Sequence, residues 1–109
     1  MNKRIGKIQG ISFGFGGYDD AMIGVSVTLV SDKECWGVGD FKGTWATRSD
    51  GAEWTLADQT RIWGETVAWV RDLLRDAKKQ ELKDLVGTPV EVTFEDNTLK
   101  AWRVLTEVV

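Results

Sequence analysis

Ala21-Met22-Ile23-Gly24-Val25-Ser26-Val27-Thr28-Leu29-Val30, then Ser31-Asp32-Lys33-Glu34, then Cys35-Trp36-Gly37-Val38-Gly39-Asp40-Phe41, is the stretch that decides the fold. In its first part Ile23, Val25, Val27 and Leu29 alternate with Gly24, Ser26 and Thr28. A period of two is the mark of a strand with one buried face. The polar quartet that follows reads as a hairpin loop into a second strand over residues 35–41. With that loop, Val30 faces Cys35, Leu29 pairs with Trp36 and Val27 with Val38, all on the core face. The opposite face then carries Gly24, Ser26, Thr28, Gly37 and Gly39. Glycine inside a strand weakens it, and often marks the close approach of a ligand or another backbone.

Working outward, residues 5–13 also read as strand, but their alternation breaks between Ile8 and Ile11. A bulge near Gln9-Gly10 restores the phase, because one inserted residue flips every face that follows. Beyond the hairpin, Ser49-Asp50-Gly51 signals a turn in an irregular segment, with one short strand expected near residues 44–47. Thr55 and Asp58 have the spacing of a capping box that opens a helix over residues 56–79. Leu56, Trp63, Val67, Val70, Leu74 and Ala77 form its apolar stripe, flanked by Ile62, Trp69 and Leu73. At 1.5 Å per residue this helix is about 36 Å long and crosses a small domain. Gly87 and Pro89 stop the helical region. Val90, Val92 and Phe94 alternate as a fourth strand, and Asp96-Asn97 suits a two-residue hairpin turn into a fifth strand over residues 98–107. In the simplest register Phe94 meets Leu99, Val92 meets Ala101, and Trp102 falls on the other face, opposite Glu91. The fold class is α+β. A largely antiparallel five-stranded sheet, ordered β-β-β-α-β-β along the chain, carries one long amphipathic helix on one face, and residues 1–109 form a single domain.

Composition narrows the function classes. The 109 residues carry a net charge of −3, with acidic and basic residues mixed, so no basic stripe for direct nucleic-acid binding is present. Histidine is absent, which removes the commonest general acid–base and metal ligand. Cys35 is the sole cysteine, so an intrachain disulfide is impossible and a reducing, cytoplasmic location is expected. The basic start, Met1-Asn2-Lys3-Arg4, has no apolar region behind it, so no signal peptide is predicted. No apolar run reaches the length of a membrane span, and no membrane partner is expected.

Glycine and aromatic residues alternate in Phe13-Gly14-Phe15-Gly16-Gly17-Tyr18-Asp19-Asp20 and again in Trp36-Gly37-Val38-Gly39-Asp40-Phe41-Lys42-Gly43-Thr44-Trp45. The first segment falls short of a dinucleotide fingerprint. Asp19 replaces its last glycine, and a strand rather than a helix follows, leaving no helix N-terminus for pyrophosphate. A phosphate-binding loop would also need a Lys-Ser/Thr pair after its glycines. Asp19, Asp20 and Asp40 match no recognised cation loop, and no activating base stands near Cys35 in sequence. No catalytic residue, metal or cofactor is therefore expected. Trp36 and Trp63 read as core. Trp45, Trp54 and Trp102 either cover the glycine face or leave it open to a partner.

These two segments, together with Gly87-Thr88-Pro89-Val90-Glu91-Val92-Thr93-Phe94 and Trp102-Arg103-Val104-Leu105-Thr106-Glu107-Val108, resemble a group of small phage and prophage proteins without an established activity. The resemblance implies an accessory protein that acts by binding. The expected surface comprises Phe15, Gly16, Gly17, Tyr18, Asp19, Gly24, Ser26, Gly37, Gly39, Asp40, Lys42 and Trp45. The first partner considered is a host protein. A small nucleotide held by the glycine backbone with Lys42 or Arg48 is the alternative, and a homo-oligomer formed through Trp69, Trp102 or a sheet edge is the third.

Overall fold

The broken alternation between Ile8 and Ile11 sits inside a single long strand. In the computed structural model, which describes residues 2–108, β1 spans Asn2–Gly16 and the register slips between Ile8 and Gly10, leaving Gln9 as the bulged residue. Two hairpins hang on this strand at opposite ends and on opposite edges. β2 (Met22–Ser31) pairs with its C-terminal half, Lys7 opposite Val30 through Gly16 opposite Met22, and carries β3 (Trp36–Trp45) on its far edge. β4 (Pro89–Glu95) and β5 (Thr98–Val104) attach to its N-terminal half, Asn2 opposite Phe94 through Lys7 opposite Pro89. The sheet order is β3-β2-β1-β4-β5, antiparallel throughout. The α+β sheet with one helix is as the sequence predicts.

Two registers differ from expectation, with different consequences. In the β2–β3 hairpin the loop is Asp32 to Cys35, and Leu29 faces Val38 while Ser31 faces Trp36. Ser31 stays in the strand because its Oγ accepts the Glu34 N–H at 3.1 Å, closing the turn around itself. Each partner moves by two positions, so the faces are unchanged. In the β4–β5 hairpin Asp96 and Asn97 turn at positive φ and Phe94 pairs with Leu99, both as expected, but the register then shifts so that Thr93, not Val92, pairs with Ala101. That slip inverts the phase. Trp102 pairs with Val92 and lies on the core side, not opposite Glu91.

The sheet is coiled around its core. In a flat sheet β3 and β5 would lie about 19 Å apart. Yet Trp102 Nε1 donates to Asp40 Oδ2 at 2.8 Å, and Trp36 meets Phe94 edge-on with centroids 5.3 Å apart. Inside lie Ile8, Val25, Val27, Leu29, Val90, Val92 and Val104, with Leu85 from a short turn of helix and Leu73 and Ala77 from α1 (Leu56–Ala77).

The helix opens with the predicted capping box: Thr55 Oγ1 accepts the Asp58 N–H, and Asp58 accepts the Thr55 N–H. It ends at Lys78 in the left-handed conformation, two residues short of expectation. Its buried line is Gln59, Thr66, Leu73 and Ala77, flanked by Ile62, Trp69 and Val70. This is rotated from the predicted stripe, and Leu56, Trp63 and Val67 are exposed. The rotation has a polar cause. The Gln59 side-chain amide donates to the carbonyls of Trp45 and Ala46 at 2.8 and 3.1 Å, pinning the first turn to the end of β3. Further along, Trp69 packs edge-on against Trp102 at 5.8 Å. Trp63 is thus at the surface, and Trp69 and Trp102 are packed against each other.

Deleting Gln9 would remove the bulged residue and leave Ile8, Gly10 and Ile11 in unbroken alternation, with Ile11, Phe13 and Phe15 still on the core side. It is expected to stay within about 1 kcal/mol of wild type, whereas deleting Lys7, which no bulge absorbs, turns the buried Ile8 to the outer side and should cost more than about 3 kcal/mol. Urea denaturation of both variants checks this, and equal stability of the two would contradict the bulge.

Candidate functional site

Registers on both sides of β2 assemble the outer face row by row. Gly10, Thr28 and Gly39 lie abreast, followed by Ser12, Ser26 and Phe41, then Gly14, Gly24 and Gly43, then Gly16, Met22 and Trp45. Lys7, Val30 and Gly37 make the row at the other end. The face is three strands wide and made chiefly of glycine, serine and threonine. α1 lies on the opposite side. The accessible surface is 7094 Å², against about 6,100 Å² for a compact monomer of this mass. One uncovered sheet face accounts for an excess of that kind.

The glycines on this face do different things. Gly24 and Gly43 face each other where β2 and β3 cross closely, and a Cβ on Gly24 would meet the Lys42 carbonyl oxygen, one on Gly43 the Ile23 carbonyl oxygen, each at 2.2 Å. These two serve the sheet. At Gly16 a Cβ would lie 3.1 Å from the Phe41 ring and 3.0 Å from Ser26 Oγ, so Phe41 leans across this corner. Gly17 turns the chain at φ 67°, ψ −148°, a conformation open to glycine alone. Gly10 and Gly14 look into open space, with nothing within 4 Å, and Gly37 and Gly39 meet only ordinary contacts at 3.6 Å or more. The open floor is therefore Gly10, Ser12, Gly14, Ser26, Thr28, Gly37 and Gly39.

Of the residues expected at the site, Gly16, Gly24, Ser26, Gly37, Gly39 and Trp45 are on this face, and Gly17, Tyr18 and Asp19 form the turn at its end. Tyr18 is 71% exposed and stands edge-on to Trp45 at 6.2 Å. Phe15, Asp40 and Lys42 lie on the helix side, paired with Ile23, Val27 and Val25. Asp40 is engaged with Trp102 there. Missed from the site were Gly10, Ser12, Gly14 and Phe41. Alternation carried past the bulge would have found the first three, since Gly10, Ser12 and Gly14 interleave with Ile11 and Phe13.

None of the tryptophans in question covers the floor. Trp102 is on the core side, and Trp36 lies over Gly6 within the coil. Trp45 borders the end, and the half-buried Trp54 belongs to a loop that Arg48 staples through the carbonyls of Trp54 and Ala52 at 2.8 and 2.9 Å. Arg48 is occupied there and Lys42 faces the helix, so neither cation stands over the glycines. Among the described residues no group of three acidic or cysteine side chains gathers as a cation site. Cys35 is exposed, in the β2–β3 turn.

Charge on the outer face lies at its margins: Lys7, in the row of Val30 and Gly37, pairs with Asp32 at 3.0 Å, and the rest is at the β4–β5 end. Glu91 pairs with Lys3 at 3.9 Å and with Arg103 at 3.2 Å, and Arg103 also binds Glu107 at 2.9 Å. Hydrogen bonds from Arg103 hold the Glu107 carboxyl down to about 2. A mixed-charge ladder thus flanks a neutral floor. A separate cleft of about 420 Å³ opens at the start of β3 between Asn2, Arg4, Glu34, Trp36, Phe94 and Asn97, with Arg4 and Glu34 already joined at 2.7 Å. Compared with known proteins, the chain matches no family model, no curated protein and no solved structure.

The two glycine classes separate by mutation. Gly24→Ala and Gly43→Ala should each cost about 1–3 kcal/mol through overpacking, while Gly10→Ala and Gly14→Ala should be neutral or stabilise by about 0.5–1 kcal/mol. Denaturation midpoints measure both, and similar losses at all four positions would contradict the assignment.

Proposed function

We propose that this chain is a non-enzymatic accessory protein, phage- or prophage-encoded, that binds a host protein in the cytoplasm through the small-residue face of β1–β3. The observation that carries the reading is the floor of Gly10, Gly14, Gly37 and Gly39, which the chain's own side chains leave open. A face without side chains lets a partner's backbone or apolar surface approach closely, and Tyr18, Phe41 and Trp45 at one end supply the aromatic anchors typical of interface hot spots. The phage context rests on the sequence resemblance of the glycine–aromatic segments. A flat protein surface suits this floor better than a nucleotide does, because the floor is open rather than enclosed and neither Lys42 nor Arg48 reaches over it.

Immobilised wild type, Gly10→Trp, Gly39→Trp and Tyr18→Ala, exposed to host lysate, test the reading. Wild type should retain a defined protein that all three variants lose by at least about tenfold, with unfolding midpoints unchanged for Gly10→Trp and Gly39→Trp. An identical bound set for all four proteins would reject this face. Stabilisation by a nucleotide panel in a thermal-shift assay, with no protein captured, would favour the small-ligand alternative instead.

A further inference from the structure

β1 exposes one free edge on each half, and the two are guarded differently. Its N-terminal half, residues 2–6, has β4 on one edge only, and the other edge carries Lys3 and Arg4. There Arg4 binds Glu34 at 2.7 Å and Lys7 binds Asp32 at 3.0 Å, so the β2–β3 turn is drawn across it. Charged side chains and covering loops are the usual protection of a sheet edge. Its C-terminal half, residues 10–16, has β2 on one edge, and pairing with β4 stops at Lys7. From Ile8 to Tyr18 the sequence contains no charged residue and no proline. Beside this unguarded edge lies an apolar patch on the helix side. Phe13, Ile23, Trp63 and Val67 line a groove of about 210 Å³. Exposures are 63% for Phe13, 70% for Phe15, 40% for Trp63 and 68% for Val67.

From this asymmetry we infer that the C-terminal half of β1 pairs with the same segment of a second copy, forming a two-fold dimer through the edge and the Phe13–Trp63 patch. Two-fold antiparallel pairing places each residue opposite a residue of its own segment, so charges near the axis would meet their like; here there are none. With Phe13 at the axis, Phe13 meets Phe13 and Ile11 meets Phe15 on the helix side, both favourable cross-strand pairs. On the outer side Ser12 meets Gly14 and Gly10 meets Gly16, so the small-residue floor runs on into the second copy. The length fits as well. The second copy's strand ends at Gly16, opposite Gly10, before the position where β4 begins. Phe13, Phe15, Trp63 and Val67 offer roughly 500 Å² on each copy, and two copies bury about 1,000 Å², the size at which specific interfaces begin.

Sedimentation velocity of the purified chain, from about 1 to 300 µM, tests the dimer. A species of twice 12.2 kDa is expected. Phe13→Lys should weaken it by at least about 100-fold through like charge at the axis, with circular dichroism unchanged. Phe13→Glu should do the same, and mixing the two variants should restore a dimer. Gly39→Trp, on the other face and away from the edge, should leave it intact. A strict monomer at the highest concentration, a dimer indifferent to Phe13→Lys, or failure of the Lys and Glu variants to recombine would each overturn the inference. Capture of a host protein by a strictly monomeric wild type would leave the binding reading standing and remove only the dimer.

Discussion

One strand serves two hairpins, and everything else in this molecule follows from how it does so. β1 lends one edge of its N-terminal half to β4 and the opposite edge of its C-terminal half to β2. A strand used in this way must keep its apolar residues on one side along its whole length, yet Ile8 and Ile11 are three apart. The bulge resolves the conflict by leaving Gln9 out of the ladder, so that Ile8 and Ile11 stand two pairs apart. Gly6 and Ile8 before it, and Ile11, Phe13 and Phe15 after it, then share one side. Lys3, Ile5 and Lys7 share the other side with Gly10, Ser12 and Gly14.

Bulges also sharpen twist, and here the sheet coils until its two edge strands are bridged by side chains. The Trp102–Asp40 hydrogen bond closes that span. Bonds of this kind, to a charged acceptor, contribute about 1.5–3 kcal/mol and also fix geometry. Gln59 does comparable work at the helix, using a polar side chain to lock α1 onto the end of β3. Because the polar pins set the helix rotation, three apolar residues, Leu56, Trp63 and Val67, are left facing solvent, the last two beside Phe13. The open apolar groove and the open small-residue floor lie on opposite sides of the same half of β1.

Much of this was legible in the sequence, and the exceptions have physical causes. Alternation located all five strands, the Ile8–Ile11 break located the bulge, and Thr55 with Asp58 located the start of the helix. The face carrying Gly24, Ser26, Gly37 and Gly39 survived an error in loop placement because that error was even. The β4–β5 slip was odd, and it moved Trp102 across the sheet to the tryptophan that stacks on it. No apolar pattern announces such a slip, since Ala101 and Trp102 both suit either face. The helix face was misjudged for a related reason: hydrophobic periodicity cannot see that Gln59 and Thr66 take buried positions when their polar atoms find partners. Phe15, Asp40 and Lys42 were grouped with the floor by closeness in sequence, whereas strand alternation sends them to the helix side.

Whether β1 carries that bulge is read most directly from cross-strand backbone nuclear Overhauser effects. Leu29 should face Ile8, Val27 should face Ile11 and Val25 should face Phe13, with Val92 facing Arg4 across the other edge. The pairing of Ile11 with Ser26 and of Phe13 with Gly24, the register that continues from Ile8 without a bulge, would contradict it. That register would turn the glycines inward and leave neither the floor nor the edge as described.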